Sequence, residues 1–219
     1  MTNDAKTFRS DRLSAILLVA GALAGVVVMA LHPTAHGLLS PENGPRLTRL
    51  NTFVHGLALA AVPALFFALL GLTRRLGATD LSIAALVVWG FGGVAVTSAA
   101  VASGFVAPGA IARIVAENGS RVPQAFLVYT GLWNQGFAKV YLVASCAAIL
   151  LWSAAILRGS RVPRGAGIAG IVLAGAVLAA FFAGHLGLDV HGFGVMTLAQ
   201  SIWLVWIGIA LWKESSESA

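Results

Sequence analysis

Charge is scarce in this 219-residue chain. Asp and Glu number eight, Lys and Arg fourteen, and charged residues make up 10% of the sequence. A soluble globular domain carries about 25%, so the shortage excludes that class. The single cysteine, Cys146, excludes a disulfide-stapled secreted scaffold. A disordered chain is excluded by the 58% hydrophobic content. The net charge of +6 reflects few acids rather than a basic patch, because the cations are spread thinly between apolar runs; nucleic acid is not a partner. Familiar catalytic signatures are also missing: no Gly-x-Ser-x-Gly, no HExxH, no Walker loop, and no Gly-x-Gly-x-x-Gly after a strand. No apolar run has an Asp, Glu or Arg near its centre, which argues against a proton-coupled pump or a voltage sensor.

What the chain has in abundance is long apolar runs. A helix rising 1.5 Å per residue needs about 20 residues to cross about 30 Å of hydrocarbon. Six runs meet that length, at about 13–31, 50–72, 81–103, 138–157, 166–184 and 191–212. Lipid offers no partners to backbone groups, and no run alternates apolar and polar positions as a barrel strand would. The sequence therefore predicts an all-α integral membrane protein, one polytopic domain of six transmembrane helices over 1–219. The first run exceeds the 7–15 residues of a signal-peptide core, so it reads as a retained span.

Lys and Arg in the short connections set the orientation. With the N-terminus inside, the inner segments hold Lys6, Arg9, Arg12, Arg74, Arg75, Arg158, Arg161, Arg164 and Lys213, against Arg46, Arg49, Arg113, Arg121 and Lys139 outside. The bias predicts both termini in the cytoplasm, and the Ala- and Gly-rich composition suggests a bacterial inner membrane. Gly21 and Gly25, Ala166, Gly170 and Ala174, and Gly90, Gly92 and Gly93 read as close helix contacts. Pro63 should kink the second span. A broken helix at Pro63 or Gly90–Gly93 would suit a small-molecule or ion transporter, the second reading. In the connection from Gly104 to Gln124, Pro108-Gly109 reads as a break before a short helix from Ala110 to Asn118, and Asp80 reads as the cap of the third span.

All five histidines fall on the outer side of this arrangement. His32 and His36 follow span one, His55 lies inside span two, His185 ends span five and His191 opens span six. Asp189 sits between the last two. His-Pro-Thr-Ala-His-Gly after span one is echoed by His185 to Gly192, compatible with a pseudo-symmetric pair of hairpins. Pro33 biases His32 out of the helix, which weakens a shared His32/His36 face. Imidazole suits copper, iron and zinc, and histidines at one depth on separate helices also suit a b-type haem. His55, His185 and His191 are the first candidate ligands, then His32, His36 and Asp189. Lys139, Asn134, Gln135, Tyr141 and Asn51 are candidates for second contacts or for holding a substrate.

The expected function is transition-metal or haem binding at the outer, periplasmic face, with a redox step if the protein is an enzyme. The competing view of each histidine is an amphipathic ring at home in the interface. A non-catalytic accessory subunit is the third reading. The expected partner is the lipid bilayer, with other membrane subunits or a homo-oligomer as further possibilities.

Overall fold

The computed structural model describes the backbone of residues 2–33, 44–119 and 122–217, and side chains from 11 to 213 within them apart from Asn118. All regular structure among the described residues is helical: α1 (Thr2–Leu31), α2 (Gly44–Arg75), α3 (Asp80–Val101), a π turn (Ala102–Val106), α4 (Ala107–Asn118), α5 (Gln124–Leu157), α6 (Arg164–Phe182) and α7 (Val190–Glu217). Six stretches are long and apolar enough to cross a bilayer: Asp11–Leu31, Gly44–Arg75, Asp80–Glu117, Gln124–Leu157, Arg164–Phe182 and Val190–Lys213. The six-helix membrane fold is as the sequence predicts.

The spans close a ring. α1 packs on α2 and α7, α2 on α3, α3 on α5, α5 on α6, and α6 on α7. Antiparallel neighbours put the start of α1 beside the end of α2, where Asp11 and Arg75 meet at 3.5 Å. Arg12 lies over the Trp212 ring at that end, 5.8 Å from its centre. We call this the terminal end, and the opposite one the histidine end.

The connections follow from local chemistry. Gly77 and Ala78 take positive φ after the Arg74-Arg75 terminus of α2. Thr79, not Asp80, caps α3, its hydroxyl accepting from the Ser82 amide at 3.4 Å. Asp80 stands in the first turn instead, where a carboxylate favours the helix dipole. Pro123 and Pro163 directly precede α5 and α6, the place where a fixed φ and no N–H cost least. Gly119, at φ 77°, ends α4 as the Asn118-Gly119 pair predicts.

Small residues let the backbones approach. A Cβ on Gly21 would meet the Leu65 side chain of α2, and one on Gly25 would meet Thr197 of α7 at 3.2 Å, so one GxxxG step serves two neighbours of α1. α2 runs through Pro63 and α3 through Gly90–Gly93 without interruption.

Several polar side chains inside the ring bond across helices, as lipid-embedded polar groups often do. Gln200 on α7 donates to the Ser145 hydroxyl of α5 at 2.7 Å and accepts from Tyr141 at 3.3 Å. Trp152 donates to Thr73 of α2 at 3.1 Å and stacks on Trp203, whose indole donates to the Ala166 carbonyl of α6 at 3.1 Å. Ser201 donates to the Ala22 carbonyl of α1 at 3.1 Å. Gln200→Leu is expected to cost about 1 kcal/mol, the usual size of such bonds in membranes. Denaturant unfolding of the detergent-solubilised protein, followed by circular dichroism, measures it.

Two helix bounds differ most from expectation. α5 starts at Gln124 rather than near residue 138, and the third span runs on to Asn118 with no break at Pro108-Gly109. Bilayer thickness sets how much helix lipid must hold; it does not end a helix whose residues go on favouring one.

Candidate functional site

The site begins with a proline. Pro108 has no N–H, so the Gly104 carbonyl four residues earlier lacks its usual donor. In the π turn the Ala107 amide bonds to Ala102 O, five residues back, which bypasses the Ser103 carbonyl as well. The Ser103 and Gly104 carbonyls thus lack their usual i+4 donors, and buried backbone groups need partners. Asn51 and Thr52 supply the donors. The Asn51 amide reaches Ser103 O at 2.9 Å and the Thr52 hydroxyl reaches Gly104 O at 3.1 Å. Pro108 therefore marks a π turn and not a break, because a neighbouring helix satisfies what the proline leaves open.

One turn along α2 from Asn51 stands His55, buried against that turn. A Cβ on Gly104 would run into the Cβ and Cγ of His55, so only glycine fits there. His55 lies about 30 Å along the helix from Arg75, which puts it at the bilayer boundary of the histidine end. Its Nδ1 lies 2.7 Å from Asn51 O.

His32 is the first residue beyond α1, released from the helix ahead of Pro33 as expected. Its Nδ1 lies 3.0 Å from Pro33 O. The two imidazoles touch edge to face, ring centres 5.0 Å apart with planes at 67°. A carbonyl oxygen only accepts, so both Nδ1 atoms carry a proton, and in the neutral form of each ring Nε2 holds the lone pair. Burial pushes the His32 imidazolium pKa down, against the smaller opposing effect of its bond to Pro33 O, and favours the neutral ring.

No family model, curated protein or solved structure matches this chain. The reading of the site therefore rests on its own geometry.

The other candidate residues are spread more widely. His185 is exposed in the connector after α6, and His191 is exposed in the first turn of α7. Gly194 lies against Met29, at 4.0 Å from a built Cβ, so His191 and His32 stand at the same level, each three residues further out on neighbouring helices. The Asp189 carboxylate accepts from the Gly192 amide at 2.8 Å, which makes it the N-terminal cap of α7. Tyr141 is drawn inward to Gln200 and lies against the Phe193 ring. Lys139 and Gln135 are exposed and Asn134 is half-buried. Glu117 faces Arg113 at 3.6 Å. His36 lies outside the described residues. Among the described residues no group of three or more His, Cys, Asp or Glu is gathered as a metal site. The structure thus brings together His32, His55 and Asn51, and leaves His185, Asp189 and Tyr141 in other roles.

Thr52, Ser103, Gly104 and Pro108 belong to the site and are not legible from residue types. The available signal was the adjacent polar pair Asn51-Thr52 inside an apolar run.

Proposed function

We propose that this chain is a multi-pass protein of the bacterial inner membrane, with both termini cytoplasmic, that binds one transition-metal ion at its outer face through Nε2 of His32 and His55. The contact between the two neutral rings carries this reading. Two imidazoles on one tetrahedral ion, each nitrogen about 2.1 Å from the metal, bring their ring centres to about 5 Å. As the two axial ligands of one haem they would stand about 6 Å apart on opposite faces of the porphyrin, out of contact, so the observed 5.0 Å favours a shared ion over haem. Backbone carbonyls on both Nδ1–H groups fix the rings as metal-binding histidines are usually fixed. Positions left open on the ion face the aqueous side, and copper or iron held there suits a one-electron step at the membrane boundary.

Metal per chain tests the proposal directly. Protein purified in detergent without added metal is expected to hold near-stoichiometric copper, iron or zinc by mass spectrometry. His32→Ala and His55→Ala should each empty the site, while His185→Ala should leave it filled. Wild-type protein with well under one metal per chain after reconstitution would overturn the reading. A non-catalytic accessory subunit is the second reading, favoured by the exposed apolar face of Val128, Tyr129, Leu132 and Trp133 on α5. It predicts co-purifying membrane partners and indifference to both histidine changes.

A further inference from the structure

Pro108 has no side chain that could bind an ion, yet it is joined to His55 by a short chain of contacts. It withholds the N–H that Gly104 O would otherwise receive, and the Thr52 hydroxyl takes its place. The π turn that results presents Gly104 to the Cβ and Cγ of His55. From the same turn Ser103 O holds the Asn51 side chain, and Asn51 O receives the His55 Nδ1–H. The turn thus forms the wall behind the imidazole and ties down the side chain of Asn51, whose own carbonyl in α2 aims the ring.

We infer that Pro108 is a positioning residue for His55, keeping the π turn in the register that aims the imidazole at the ion. The inference rests on the metal reading above. Restoring an N–H at position 108 gives Gly104 O an intrahelical donor and lets the extra residue of the π turn be absorbed into regular α-helix. A change of one residue in register rotates a position by about 100° around the helix axis. Ser103 or Phe105 would then face His55 where Gly104 now stands, and neither leaves room for the ring in its present place. Asn51 and Thr52 would lose their acceptors in the same step.

Stability moves little, because the intrahelical hydrogen bond that the helix gains is set against the bonds that Asn51 and Thr52 lose and the crowding at His55. The metal site should weaken, by the 10–100-fold typical of groups that orient a ligand without touching the ion.

The experiment titrates zinc into the full-length detergent-solubilised protein against a chromophoric chelator, and records the visible spectrum of the cobalt(II) form. Pro108→Ala is expected to bind zinc roughly 10–100-fold more weakly and to shift the cobalt bands of the protein that still binds. Thr52→Val should move affinity and spectrum the same way, and Thr52→Ser, which keeps the hydroxyl, should restore both. Arg113→Ala, on the exposed surface of α4, should change neither. Wild-type affinity and an unchanged cobalt spectrum in Pro108→Ala would overturn the positioning role while leaving the metal site standing. A lost affinity with unshifted cobalt bands in the protein that still binds would also overturn it, reducing Pro108 to a folding residue. No zinc or cobalt binding by the wild type would overturn the metal reading and the positioning role together.

Discussion

Gly104→Val is expected to cost about 3 kcal/mol of stability, at the upper end of what overpacking a close contact costs. The added Cβ alone would occupy the space of the His55 Cβ and Cγ, both part of a rigid side-chain stem rather than a flexible tip. α2 cannot retreat freely, because Asn51 and Thr52 tie it to the Ser103 and Gly104 carbonyls. Moving the helices apart would strand both carbonyls at membrane depth and compound the steric cost. Gly109, five residues on, supplies the control: a Cβ there meets nothing within 4 Å. Gly109→Val should be neutral or stabilising by a few tenths of a kcal/mol, because valine has the better helix propensity. Denaturant unfolding of both variants in the same detergent reads the contrast. Equal costs would mean that α2 and the π turn are not fastened together as described.

At the terminal end, breaking the Asp11–Arg75 pair is expected to cost about 2 kcal/mol, between the small value of an exposed pair and the several kcal/mol of a fully buried one. The side chains are 10% and 15% exposed, close to the buried limit but at the membrane boundary. The two single substitutions should differ. Asp11→Ala leaves a long arginine, which can bend its guanidinium toward the headgroups. Arg75→Ala leaves a short carboxylate that cannot reach them, so it should be the costlier change. A double-mutant cycle over Asp11→Ala and Arg75→Ala isolates the coupling. A coupling energy near zero would show that the contact contributes nothing to joining α1 and α2.

The contrast between these regions explains what the sequence could disclose. Apolar length is imposed by the solvent, so six helices were legible without knowing any contact. Glycine spacing revealed where helices approach, as at Gly21 and Gly25. His55 and Asn51 could be singled out because a polar residue within an apolar run demands a reason. Which histidines meet is another matter, since it depends on the order of helices around the ring. His185 and His191 flank a connector just as His32 and His36 do, yet His32 faces His55 because α1 packs on α2. Asp189 was misleading for a local reason: an acid three residues before a glycine amide caps its own helix. Pro108 was misleading because a break and a π turn look alike in sequence. The difference lies some 50 residues away, in Asn51 and Thr52.

The helices are unequal in length, and the inequality acts on the surrounding lipid. α1, α6 and α7 come near the bilayer boundary at the histidine end, whereas α5, 34 residues long, spans about 51 Å against about 30 Å of hydrocarbon. Its first part, from Gln124 to Ala138, has no charged residue to fix it in water, and Val128, Tyr129, Leu132 and Trp133 are exposed there. Such hydrophobic mismatch is relieved by tilting the helix or by stretching nearby acyl chains. Because the overhang lies on one flank, the relief is lopsided. Lipid beside α5 is expected to be stretched more than lipid beside α6 and α7, and thicker bilayers to hold the protein with less distortion.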